Sequence, residues 1–381
     1  MSLPIARTVP LCAIALGIAC GSSPAPTSSA PGSPDGGSCV SDALWVASDY
    51  SSSAVGSLQL SGMITATTGR VDLGADPALA VSNGGAFFVA RDQDAVFALD
   101  PVCGTPTQRF DVHVASQAGS SNPQDVALAS DGSLWVPLYN VPALLVVSPA
   151  GDITKTIDLS SYDSDGNPDA SAIAIVETPA GEKAFVALQR LDNANDYACD
   201  QPSWMLRIDV PTATVEATLV LAGRNPFAME NDNGILWLAD PCNFDDATET
   251  DAGIERFDTS TSTSALVATE TDLGGSVTEV TVAASCGVAI VANAVTNVNA
   301  TSLVTFDPTT GAVLASASSS PLATDGFDLE GSTWIGDAVA IGDRRRASNG
   351  FPVHVFDSGA SCALTEREDT VFLPLPSVSL K

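Results

Sequence analysis

One short apolar strand recurs along the chain and constrains the fold more than any other feature. It reads Leu44-Trp45-Val46-Ala47, Phe87-Phe88-Val89-Ala90, Leu134-Trp135-Val136-Pro137, Ala184-Phe185-Val186-Ala187 and Leu236-Trp237-Leu238-Ala239, with weaker copies at Ala289-Ile290-Val291-Ala292 and Val339-Ala340-Ile341-Gly342. The period is about 49 residues, in the range of propeller repeats. A second strand follows in each unit and ends in a turn: Leu99-Asp100-Pro101, Val147-Ser148-Pro149, Ile208-Asp209, Phe257-Asp258, Phe306-Asp307-Pro308 and Phe356-Asp357. A third marker, Asp or Asn before Pro, opens a unit at Asp76-Pro77, Asn122-Pro123, Asn167-Pro168 and Asn225-Pro226.

Four short strands per unit, repeated seven times with no long helical periodicity, predict an all-β fold: a seven-bladed β-propeller with four-stranded antiparallel blades. The first unit lacks its opening strand. Leu375-Pro376-Ser377-Val378-Ser379-Leu380 repeats that pattern at the other end of the chain, so the C-terminal strand is expected to close the ring. The stretch from Val215 to Pro226, the turn Asn233-Gly234 and the strand Leu236-Trp237-Leu238 resemble the broad YVTN, NHL and streptogramin-lyase-like propeller group. That resemblance spans most of residues 40–380 and implies the fold; such folds carry many activities.

The N-terminus reads as an address. Arg7 precedes the short apolar run Pro10–Ala19, which is too short to span a bilayer, and Gly17-Ile18-Ala19-Cys20 resembles a bacterial lipoprotein signal. The expectation is a signal peptide over 1–19 and lipidation of Cys20. A Ser/Pro/Gly-rich tether follows over 20–38, and a single propeller domain over 39–381. Gly21 after Cys20 resembles the outer-membrane sorting pattern, so the predicted location is the outer membrane.

Six cysteines remain after Cys12 and Cys20, and no C-x-x-C or zinc spacing is present. In an exported chain this implies three disulfides, without haem or zinc. With the strands of a blade named A to D from the axis outward, A–B and C–D turns share one face. B–C loops and D–A crossovers share the other. Placing the cysteines on that map pairs Cys39 with Cys103, Cys199 with Cys242, and Cys286 with Cys362. Each bridge is worth roughly 4 kcal/mol on a loop-entropy model.

The chain carries 45 Asp plus Glu against 15 Lys plus Arg, a formal charge of −30. That charge repels phosphate backbones and argues against a nucleic-acid partner or nucleotide cofactor; membrane contact is expected through the lipid alone. The expected partner is a small ligand or a protein of the envelope, met by a monomer. Candidate ligand-binding residues ring the crossover end of the channel: Asp76, Asn122, Asn167, Asp169, Asn225 and Asp325, with Arg344 from the basic run Arg344-Arg345-Arg346. Such residues are also ordinary turn starters.

Asp163, Asp165, Asn167 and Asp169 alternate oxygen side chains around Gly166, a pattern that suits Ca²⁺, although Ala174 stands where an EF-hand has its acid. The B–C loops of blades 4 and 5 form an acidic rim with Asp192, Asp196, Asp200, Asp240, Asp245, Asp246, Glu249 and Asp251. The only histidines, His113 and His354, map to outer strands, so no histidine base is expected at the mouth. No catalytic residue is assigned. The favoured expectation is a non-catalytic binding scaffold. The alternative is a Ca-type metal-dependent hydrolase or lactonase at the channel mouth, with Glu230 and Glu279 as the nearby acids.

Overall fold

The computed structural model describes residues 41–60, 65–69, 72–114, 119–244, 249–283, 285–292 and 300–381. The expected signal segment over 1–19, Cys20, the expected tether, Cys39, Asp245 and Asp246 lie outside the described residues.

Seven antiparallel sheets follow one another along the chain. Their first strands are Pro77–Ser82, Ala127–Leu128, Ala170–Thr178, Ala228–Asp232, Ser276–Ala283 and Leu329–Ile335 in blades 2 to 7, and Ser377–Leu380 in blade 1. Each first strand packs beside the first strand of both neighbouring blades, all the way round, which is the ring of a propeller. Ser377–Leu380 pairs antiparallel with Ala43–Ser48, in the register Trp45 to Leu380 and Ser48 to Ser377, so the last strand closes the circle. Blade 7 adds one variation: its outer edge is split into Leu364–Glu366 and Val371–Leu373, which pair with opposite ends of Phe351–Ser358.

The recurring apolar strand is the second of each blade, and its burial explains its sequence. Both faces of that strand meet a neighbouring blade, so it needs a continuous apolar run rather than alternation. In blade 1, Trp45 and Ala47 enter the core shared with blade 7, while Leu44 and Val46 enter the core shared with blade 2. Equivalent cores fill the other five interfaces between blades. The fourth strands are solvated, and Thr214–Val220 alternates exposed and half-buried residues.

Cys199 is bonded to Cys242 and Cys286 to Cys362, the expected pairs. The first joins the B–C loops of blades 4 and 5, and the second joins blade 6 to the C–D turn of blade 7. Cys103 is also disulfide-bonded; its expected partner, Cys39, is outside the described residues.

Candidate binding site at the crossover mouth

Every blade sends the start of its first strand to one end of the axial channel. A cavity of about 240 Å³ opens there, lined in part by Arg91, Gln124, Asp125, Phe227, Glu279, Glu330 and Lys381. It is smaller than the ~300–1,000 Å³ of typical small-molecule pockets, so it suits one inserted side chain or a very small ligand.

The carboxylates at the channel answer a structural need first. The inner edge of each first strand has no further strand to pair with, and its N–H groups must find acceptors. Acids on the preceding blade supply them. Ile173 N donates to Asp125 Oδ2 at 3.0 Å, Val282 N to Glu230 Oε1 at 3.3 Å, and Gly331 N to Glu279 Oε1 at 2.7 Å. Ser377 Oγ donates to both oxygens of Glu330, at 3.0 and 2.9 Å. The acids therefore stitch blade to blade around the axis.

Burial has a chemical consequence. It pushes the carboxyl of Glu279 up to about 7, helped by the charge of Glu330 and opposed by the Gly331 N–H. Burial also raises Asp125 and Glu330, against hydrogen bonds from Ile173 and Val126 in the first case and the Arg344 charge in the second. The Lys381 side chain opposes the rise at both Asp125 and Glu279. The mouth thus combines buried acids, raised above their ordinary values, with a lysine.

The residues marked from sequence are mostly committed to the turns that frame this mouth. Asp76 pairs with Arg91 at 3.4 Å. Asn122 accepts from Gln124 Nε2 at 2.7 Å and has φ +53°. Asn225, with φ +60°, is buried and donates its amide to Cys242 O at 2.9 Å, fixing the crossover to the disulfide loop. Asp325 is exposed. Arg344 reaches Glu330 at 3.7 Å and lies over the Tyr50 ring, so of the marked residues it is the one that meets an acid of the mouth.

The Asp163–Asp169 loop is a hydrogen-bonding frame as arranged. Asp163 faces the Arg190 guanidinium at 3.4 Å, and that group stacks on Trp204. Asp165 accepts from Asn167 N at 2.8 Å. Asp169 accepts from Leu191 N at 3.1 Å and from the amides of Asn193 and Asn167, and burial pushes its carboxyl up to about 7. Among the described residues no three Asp, Glu, His or Cys side chains gather as a metal site requires.

The acidic rim needs one correction. Asp240 is fully buried rather than part of an exposed rim, because it ends a second strand whose both faces are covered. Asp196 and Asp200 are exposed; Glu249 and Asp251 are half-buried, the first accepting from Asn243 and the second paired with Arg224. His113 follows an outer strand and bonds Asp94. His354 lies on a third strand between Asp343 (3.0 Å) and Glu366 (2.6 Å), away from the mouth.

Sequence reasoning passed over the aromatic side chains of this face. Tyr50, Tyr197 and Phe244 sit in B–C loops, and Phe227 and Phe327 sit in crossovers, all exposed. Phe227 and Phe244 meet edge to face with ring centroids 5.3 Å apart. Among the described residues, the large exposed apolar side chains elsewhere, Val81, Val102, Ile153, Val220 and Leu314, are all aliphatic. Asp125 and Glu330 were also passed over; aligning each opening strand by its carboxylate would have drawn them beside Glu279.

Comparison with solved structures returns propellers. A 6-phosphogluconolactonase-like protein of Bacteroides uniformis is 12% identical, with a TM-score of 0.56 over 89% of this chain and 99% of that one. The Dos1 propeller is 15% identical, with a TM-score of 0.50 over 87% of this chain and 86% of that one. A streptogramin B lyase is 12% identical, with a TM-score of 0.46 over 76% of this chain and 82% of that one. At such identities the likeness establishes the fold alone. No protein-family model and no curated protein matches the sequence.

Proposed function

We propose that this chain is an exported, lipid-anchored, non-catalytic binding propeller that offers its crossover face to a ligand or partner bearing cationic and apolar groups. The observation that carries this reading is that Tyr50, Tyr197, Phe227, Phe244 and Phe327 are exposed on loops of the crossover face, with Phe227 lining a cavity that has acidic walls. Solvated aromatics are the commonest anchors of binding surfaces. A formal charge of −30 steers cationic partners toward the protein. Disulfides suit an oxidising compartment outside the cytoplasm, and Cys20 closes a signal-like run before the tether.

Titration calorimetry with two short Trp-containing peptides, one rich in Lys and Arg and one rich in Glu, tests the binding surface. The cationic peptide is expected to bind and the acidic one to fail. Phe227→Ala with Phe244→Ala should weaken binding by at least about 30-fold, since losing even one aromatic anchor costs about 2 kcal/mol. Undiminished binding in the double variant would remove the aromatic face from the assignment. The anchor has its own test. Cys20→Ala should move the protein from the detergent phase to a soluble or unprocessed form, and unchanged partitioning would exclude lipidation.

A hydrolase is the second reading, favoured by Glu279. An acid held near pH 7 at a cavity wall is poised for proton transfer. Lactone or ester hydrolysis lost in Glu279→Gln would move the assignment to this reading.

A further inference from the structure

Between blades 4 and 5 lies a second acidic group that the mouth does not use. Asp240 ends the strand Ile235–Asp240, and Glu255 lies on the adjacent strand Gly253–Asp258. The register sets Asp240 opposite Gly253, so Glu255 is its diagonal neighbour on the same face of the sheet. Their carboxyl groups therefore sit side by side on that face, and both residues are fully buried.

Two ionised carboxylates side by side in a buried site repel strongly, so one counter-charge must be present. The hydrogen bonds say which it is and where it sits. Glu255 accepts from Gly223 N at 2.6 Å and from Ser264 Oγ at 2.6 Å, the pattern of an ionised acid. Among the described residues, neither oxygen of Asp240 receives an N–H or O–H donor. Asp240 is therefore the member placed to donate.

The surrounding charges agree. Glu270, on the short helix Glu270–Leu273, is also fully buried and adds negative potential at Asp240. The nearby cations are turned elsewhere: Arg224 to Asp251 and Cys199 O, and Arg256 to Asp258. The Asp272 carboxylate accepts from Thr269 N and Oγ1 in the capping box of its own helix. Gly223 completes the fit, since a Cβ there would lie within 2.1 Å of Asp240 Oδ2.

We infer that Asp240 and Glu255 share a single proton, and that this pair is a pH-sensitive latch holding the crossover from Ala222 to Phe227 in place. The proton sits on Asp240 and is donated to the Glu255 carboxylate. The Gly223 N–H is held by the same carboxylate, and the segment carries Arg224, Asn225 and Phe227 to the mouth. When alkaline solution removes the proton to water, two buried charges remain beside Glu270, and the crossover is released. The latch does not depend on what the mouth binds.

Asp240→Asn tests it, because the amide can donate to Glu255 but has no proton to lose. An infrared difference spectrum of wild type minus Asp240→Asn at pH 7 should contain a protonated carboxylic C=O band. Hydrogen exchange of the peptide spanning Ala222 to Phe227, corrected for intrinsic rate, should lose about tenfold protection in the wild type between pH 7 and 10 and stay flat in the variant. If Asp240→Asn fails to fold, Glu255→Gln should remove the alkaline loss in the same way. Parallel loss in wild type and variant, or wild-type protection that depends on added calcium and vanishes with chelator, would overturn the shared proton.

Discussion

Removing residues 375–381 should unfold the whole ring, not merely fray its end. Ser377–Leu380 is the innermost strand of blade 1, and it covers Trp45, which is fully buried. Leu375, Val378 and Leu380 sit in the core shared by blades 1 and 7, against Ala340 and Val353. Losing three buried side chains at about 2 kcal/mol each, together with several ladder hydrogen bonds at about 1 kcal/mol each, approaches the ~5–15 kcal/mol that holds a typical domain. Blade 7 is shaped for this strand: a Cβ at Gly331 would meet Val378 O at 2.6 Å, and one at Gly342 would meet the Val378 side chain at 3.0 Å. The melting temperature of the truncated protein should fall by roughly 20 °C or more, or no cooperative transition should remain. An unchanged melting temperature would show that closure by this strand contributes little.

The closure was legible because a propeller repeat has no freedom at its seam. Blade 1 lacked an opening strand, residues 375–380 matched one, and an unclosed ring would leave two bare edges. The disulfides Cys199–Cys242 and Cys286–Cys362 were legible for a related reason, since strand order fixes which turns share a face. The site was far less so. Asp and Asn at the start of each unit stood out by their recurrence, yet Asn122, Asn225 and Asp169 take φ of +53°, +60° and +51° and serve their turns. Repetition marks what the backbone needs everywhere. A ligand needs something at one place, and the residues unique to the mouth (Phe227, Lys381, Arg344) carry no periodic signal. Asp240 was misplaced for a simpler reason: nothing in a run of acids distinguishes the one that turns inward.

The protein should become less stable as pH rises from about 5 to 8, and Glu279→Gln should remove part of that loss. Glu279 has an ordinary value of 4.5 and is pushed up to about 7 in the fold by burial. Between those values the folded protein binds more protons than the unfolded chain, so stability falls with rising pH across this window. A difference of this size corresponds to about 3 kcal/mol at pH 8, enough to move a melting temperature by several degrees. His354 acts in the same direction. Burial disfavours its charge, but Asp343 and Glu366 outweigh burial and raise it above 6.5, so its contribution is complete below that pH and is lost as pH climbs through the raised value. Asp343 sets the acid limit: hydrogen bonds from His354 and Arg345 overcome burial and hold it at about 2, and its contribution disappears as pH falls from 3.8 toward that value. The glutamine in Glu279→Gln can still accept from Gly331 N, so the variant keeps the stitch between blades 6 and 7 while losing the charge. Thermal melts at 0.15 M salt should place wild type higher at pH 5 than at pH 8, with a smaller gap in the variant. A wild type that melts higher at pH 8 would mean that Glu279 is ionised without penalty, and that the mouth is wetter and less able to hold a proton than its burial implies.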